Sequence, residues 1–193
     1  VIDGHIFPRR SQYGRMNFLA EPELWNGSSG TVHPLGWKSG IIKRLCRSTF
    51  RAETHGCVYA HETGVALRSL FTEIFGKRKV RDTNWEAISA KTMYHLLLTD
   101  CQSLRDYLNN PMPEVCEDKR LEIDLLALRE ALWMREDGRL KDTLEEEQTD
   151  KIRWIDTSAM VCDPLTNAGS RDFDLRLVDL LQSGKLSLEA TVQ

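Results

Sequence analysis

The run "MYHLLLTD", residues 93–100, constrains the fold of this chain more than any other stretch. Its leucines follow one another without the alternation of a strand that has one wet face, so it predicts a central strand covered on both sides. That implies helices packed against a sheet. The flanking text supplies them. After Ser48 and Thr49, either of which can cap a helix, Cys57, Val58, Val65, Ala66, Leu70, Phe71 and Ile74 recur at near-helical spacing to about Phe75. "CQSLRDYLNN" and "EDKRLEIDLLALREALWMRE" are also helical, and Leu121, Leu125, Leu128 and Leu132 form a stripe read as core rather than as a zipper. "IRWID" predicts the last strand, "SAMVCDPLTN" the start of a closing helix, and "DLRLVDLLQSG" its continuation or a further helix. Ahead of the first helix, residues 11–20 and two short apolar segments in "TVHPLGWKSGIIKRLCRS" predict three antiparallel strands, with the turn-rich "EPELWNGSSG" after the first.

A chain of 193 residues that is 41% hydrophobic and 28% charged is expected to form one domain, spanning residues 1–193. The net charge of -3 argues against a dedicated basic nucleic-acid binder, yet Lys38, Lys43, Arg44 and Arg47 cluster, as do Lys77, Arg78, Lys79 and Arg81. Those runs are either solvated or a local patch that meets a phosphate backbone. Cys46, Cys57, Cys101, Cys116 and Cys162 are odd in number and contain no CxxC pair, so they signal neither zinc nor a disulfide framework, and a reducing compartment is expected. No apolar run approaches the roughly 18 residues of a membrane span, so no membrane partner is expected. The opening "VIDGHIFPRR" lacks both an initiating Met and a signal-peptide core, which fits a piece of a longer polypeptide.

Three acids sit in apolar settings: Glu53 early in the first long helix, Asp100 at the end of the leucine run, and Asp163 in "AMVCDPLTN". Acids are rarely buried unless paired or bound to metal. Each alone is explained by a helix cap or a surface position; together they are candidates to converge. His55 and His61 are six residues apart, unsuited to an i, i+4 metal pair, and are read as ordinary helix residues. Cys101 has no evident His partner, so no thiol nucleophile is expected.

The residues also carry a family resemblance. "GWKSGIIKRLCRSTFRAET" resembles the W-x-S segment of copia-type retrotransposon ribonuclease H domains, with Ser48, Thr49, Ala52 and Glu53 in the Ser-Ser-x-x-Ala-Glu-like run. "LTDCQSLRDYL" is similar to the family's Asp-x-x-Ser segment, "EDKRLEIDLLALREAL" to its Lys-x-x-x-Ile-Asp helix, and "IRWIDTSAMVCDPLTN" to the segment ending Ala-Asp-x-Leu-Thr-Lys. Cys162 stands where Ala is usual, Asn167 replaces Lys, and "MREDGRLKDTLEEEQTDK" is an expanded loop. The resemblance implies an α/β, ribonuclease H-like fold, a mixed five-stranded sheet flanked by helices. It implies a metal-dependent endonuclease that cuts the RNA strand of RNA/DNA hybrids as part of a retroelement Pol polyprotein, beside the reverse transcriptase region. Localisation would be intracellular, in a cytoplasmic retroelement particle or the nucleus.

By the same resemblance, two Mg²⁺ ions, or Mn²⁺, would be held by Glu53, Asp100, Asp163 and a first-strand carboxylate. Asp100 would serve both ions, Glu53 the one nearer the leaving group and Asp163 the one that activates water. The first carboxylate of the family precedes the Ser of "RRSQYG" by about eleven or twelve residues, whereas Asp3 precedes Ser11 by eight. Either the connection is shortened and Asp3 serves, or the N-terminal strand is truncated and its acid lies upstream of Val1. The alternative expectation is a degenerate copy that keeps the fold and weak nucleic-acid binding without catalysis.

Overall fold

The computed structural model describes residues 10–76, 85–133, 141, 148–166 and 171–188, and they form a mixed α/β protein. Asp3, Asn167, the basic run Lys77–Arg81 and most of the expanded loop lie outside the described residues. Strands β1 (Gln12–Ala20), β2 (Ser29–Ile41) and β5 (Lys185–Ser187) make an antiparallel sheet in the order β1-β2-β5. Strands β3 (His95–Thr99) and β4 (Asp150–Trp154) form a separate parallel pair. The helices are α1 (Thr49–Gly76), α2 (Trp85–Thr92), α3 (Gln102–Asn109), α4 (Lys119–Trp133) and α5 (Arg171–Ser183).

Local chemistry accounts for where these elements differ from the sequence expectation. The two strands expected between residues 31 and 48 are one continuous β2. Asn17 pairs with Gly36 and Phe18 with Pro34, so Leu35 bulges out and the ladder tolerates the proline. The closing helix starts at Arg171; before it, "SAMVCDPLTN" makes two 3₁₀ turns, Thr157–Ala159 and Asp163–Leu165. The first is set by the Asp156 carboxylate, which accepts from the Ser158 backbone N–H at 2.8 Å. Pro164 sits in the second, where a helix start tolerates it. Helix α2 and strand β5 arise in text to which the sequence assigned no element.

The leucine run behaves as its pattern requires. Leu97 packs with α3 and α4 through Leu104, Leu108, Leu125 and Leu128, while Leu96 and Leu98 pack toward a second cluster around Val32, Ile155 and Leu180. Helix α1 starts at a true cap, with the Ser48 hydroxyl accepting from the Arg51 N–H at 3.2 Å. Its buried hydroxyls are satisfied within the helix: Thr54 donates to the Phe50 carbonyl and Thr72 to that of Arg68, each at 2.8 Å.

Helix α1 packs against both β1 and β3. Arg15 donates to the Tyr59 carbonyl at 3.1 Å, and the rings of Tyr13 and Tyr59 lie 4.8 Å apart, which fixes β1 on the helix. On the other side, Gly64 faces the His95 imidazole so closely that a Cβ there would collide with the ring. Gly64→Ala therefore opposes two effects. Helix propensity favours Ala by about 1 kcal/mol, but the clash with a ring tied to Asp150 falls in the overpacking range of about 1–3 kcal/mol. We expect net destabilisation in urea unfolding; equal or greater stability would mean that His95 gives way freely.

Candidate functional site

Between the two sheets lies a cavity of about 540 Å³, bounded along its length by β1 on one side and β3 on the other. Among the described residues, β1 pairs only with β2 and β3 only with β4, so each turns an unpaired edge to this space. Glu53, Asp100 and Asp163 all line the cavity. Each comes from a different element. Glu53 lies in the second turn of α1, Asp100 follows the last residue of β3, and Asp163 opens a 3₁₀ turn.

The turn that carries Asp163 is held from two directions. A Cβ on Gly14 of β1 would come within 2.8 Å of Leu165 Cβ and 2.9 Å of the Cys162 carbonyl oxygen, so only glycine lets β1 pass this close. Ser39 of β2 donates its hydroxyl to the Leu165 carbonyl. Asp100 is anchored through its backbone, whose carbonyl accepts from Trp154 Nε1 at 3.0 Å.

Glu53 and Asp163 both respond to their acidic neighbours. Burial pushes the Glu53 carboxyl up from 4.5 to about 7, and the negative charges of Asp100 and Asp163 push it the same way. Burial and Asp100 likewise raise Asp163, against the pull of Arg176. The thiols beside them are driven up as well: Cys57 to about 12 by burial, then by Glu53 and Cys101, and Cys162 to about 12 by burial, then by Asp163 and Asp100. Neither thiol is a nucleophile at neutral pH. The carboxylates share a cavity end, but their oxygens do not form a trio within 4.8 Å; among the described residues, that closeness belongs to His61, His95 and Asp150.

This second cluster was missed in the sequence because its members lie on three elements. His61 was weighed only against His55, its neighbour on the same helix. His55 instead pairs with Asp124, Nδ1 to Oδ2 at 3.3 Å. The basic residues Lys38, Lys43 and Arg47 are exposed, beside Trp37, which is 71% exposed; Arg44 is engaged with Asp124 at 2.9 Å. Among the described residues no helix is long and apolar enough to cross a membrane.

No protein-family model, curated protein or solved structure matches this chain.

The raised carboxyl at Glu53 has a measurable consequence. The folded protein holds that proton up to about pH 7, whereas the unfolded chain releases it near 4.5. Bound protons then favour the folded state at low pH, and the stability tied to Glu53 falls as pH rises through this window. Glu53→Gln should match the wild type near pH 4.5 and exceed it at pH 8. The gain is about 1–3 kcal/mol, discounted because the side chain is only half-buried. Urea unfolding at both pH values measures it, and equal pH slopes in the two proteins would remove the like-charge cluster.

Proposed function

We propose that this chain is the ribonuclease H-like part of a retroelement Pol polyprotein, a metal-dependent endonuclease that cuts the RNA strand of RNA/DNA hybrids. The observation that carries the proposal is the meeting of Glu53, Asp100 and Asp163 at one cavity end, where the two aspartates act on Glu53 as unneutralised charge. Such a group of hard oxygen donors fits Mg²⁺, or Mn²⁺, better than any proton partner the site offers. Two such ions, when bound, supply charge stabilisation for the attacking and leaving oxygens of a phosphodiester. The chain's own contribution is position: α1, the residue after β3 and the 162–166 turn each place one carboxylate on the wall of the same cavity.

The finer fold belongs to the same proposal. A strand lying between β1 and β3 would join the two sheets in the order β5, β2, β1, added strand, β3, β4, which is the family's mixed five-stranded sheet with the short β5 added at its edge. That middle position corresponds to the family's first strand and its carboxylate. Between Trp37 and the start of α1, Trp37, Lys38, Lys43 and Arg47 are all exposed, and they offer cations for a phosphate backbone and an aromatic face for a sugar or base. Recognition of the hybrid would rest on groove shape and the 2′-hydroxyl. The expected neighbour is the reverse transcriptase region, and the setting is intracellular, in the cytoplasmic particle or the nucleus.

The degenerate reading is favoured by one observation: the three carboxylates do not close to within 4.8 Å of one another. Cleavage of an end-labelled hybrid in Mg²⁺ separates the two. If the enzyme reading holds, the chain cuts the RNA strand and spares duplex DNA, and Asp100→Asn lowers the rate by several orders of magnitude with an unchanged melting temperature or a higher one. Absence of Mg²⁺-dependent cleavage, or equal cutting by Asp100→Asn, leaves the degenerate copy. Binding is tested separately. The double change Lys43→Glu and Arg47→Glu should weaken hybrid binding about tenfold or more and flatten its salt dependence; fluorescence anisotropy at two salt concentrations reads both effects.

A further inference from the structure

We infer that His61, His95 and Asp150 form a Zn²⁺ site, at the end of the parallel pair opposite Asp100. The three side chains each offer a ligand atom, all within 4.8 Å of one another. His95 and Asp150 are register partners at the start of β3 and β4, so their side chains stand side by side on one face of the pair. Helix α1 covers that face with His61, Gly64 and Arg68, which share one stripe at helical spacing. Gly64 leaves the room that the His95 ring occupies. His61 and His95 stack, with ring centroids 5.3 Å apart and planes 23° from parallel.

The arrangement is already oriented. Asp150 Oδ2 accepts from Arg68 and from the Thr149 hydroxyl, each at 3.0 Å, which turns Oδ1 toward His95 Nδ1 at 3.2 Å. Partners that hold the far oxygen of a ligating carboxylate in this way are what metal sites use to fix ligand direction.

Two imidazoles and one carboxylate are the donors that Zn²⁺ takes with a fourth position open, whereas Mg²⁺ prefers oxygen alone. Small rotations would close the ligands onto bonds of about 2 Å. The Arg68 guanidinium opposes a dication, so micromolar affinity is expected rather than the far tighter binding of an all-cysteine site. The cluster lies about 12 Å from Glu53 along α1 and about 16 Å from Asp100 along β3. It is independent of the hybrid-cleavage reading. A bound ion would tie the middle of α1 to the first residues of both parallel strands.

The test uses the chelator-treated chain. Calorimetry with Zn²⁺ should show one site of micromolar affinity that excess Mg²⁺ does not displace, and Zn²⁺ should raise the melting temperature. His61→Asn and His95→Gln should each weaken binding at least about tenfold and abolish the thermal shift, while His55→Asn keeps both. Co²⁺ in place of Zn²⁺ should give ligand-field bands without the intense thiolate charge-transfer band. His61 is half-buried, so His61→Asn remains informative if His95→Gln fails to fold. Absence of micromolar binding, binding that survives His61→Asn, or a thiolate band that reports capture by the cysteines would each overturn the site.

Discussion

Helix α1 is the contact on which the rest of the structure depends. The antiparallel sheet and the parallel pair share no ladder among the described residues, and one helix touches the inner strand of each. Its cavity-facing stripe explains how it does so without filling the space between them. Ala52, Gly56, Ala60 and Gly64 recur every fourth residue and all but remove side-chain bulk from that face. The helix is instead gripped at its margins, by Tyr13 and Arg15 from β1 and by the Arg68–Asp150 pair at 3.0 Å from β4.

Two stretches of the same helix follow opposite electrostatic logics. Near its start, Glu53 lies beside two further acids and gives up stability at neutral pH, because burial, and then the like charges of Asp100 and Asp163, raise the cost of ionisation. Near its middle, the buried charges are matched: Arg68 and Asp150 pair directly, and His95 and the Thr149 hydroxyl complete the carboxylate's hydrogen bonds. Removing one member of the matched group would leave a buried charge alone. Removing one acid relieves repulsion. Unmatched charge that the fold tolerates at a cavity end is the ordinary mark of a place where something else binds.

What could be read from the sequence divides along local and non-local lines. The cap at Ser48, the extent of α1, the leucine stripe of α4 and the doubly covered β3 each depend on residues within a few turns, and the sequence carries them. Glu53 and Asp100 were legible for the same reason, since an element's own start or end positions them. The single β2 was not, because its continuity depends on how Phe18 and Asn17 pair across from Pro34 and Gly36. The 3₁₀ turn at Asp163–Leu165 was not, because it is held by Gly14 and Ser39, more than a hundred residues away. His95 and Asp150 meet only once β3 and β4 align in register, and no spacing along the chain announces that.

This distribution of anchors determines how the acid cluster can tighten. Asp163 moves with the β1–β2 sheet, which clamps its turn, whereas Asp100 moves with β3, and Glu53 rides on the helix between them. The width of the cavity therefore enters the distance from Asp163 to Asp100, beside the rotamers of the two side chains. A hydrogen-bonded strand in that space would hold β1 and β3 about 9.5 Å apart, twice the normal interstrand spacing. It would thereby fix that width, with the small-residue stripe of α1 leaving room beneath it. Width of the cavity and geometry of the carboxylates would then be coupled, with α1 as the element that touches a strand of each sheet.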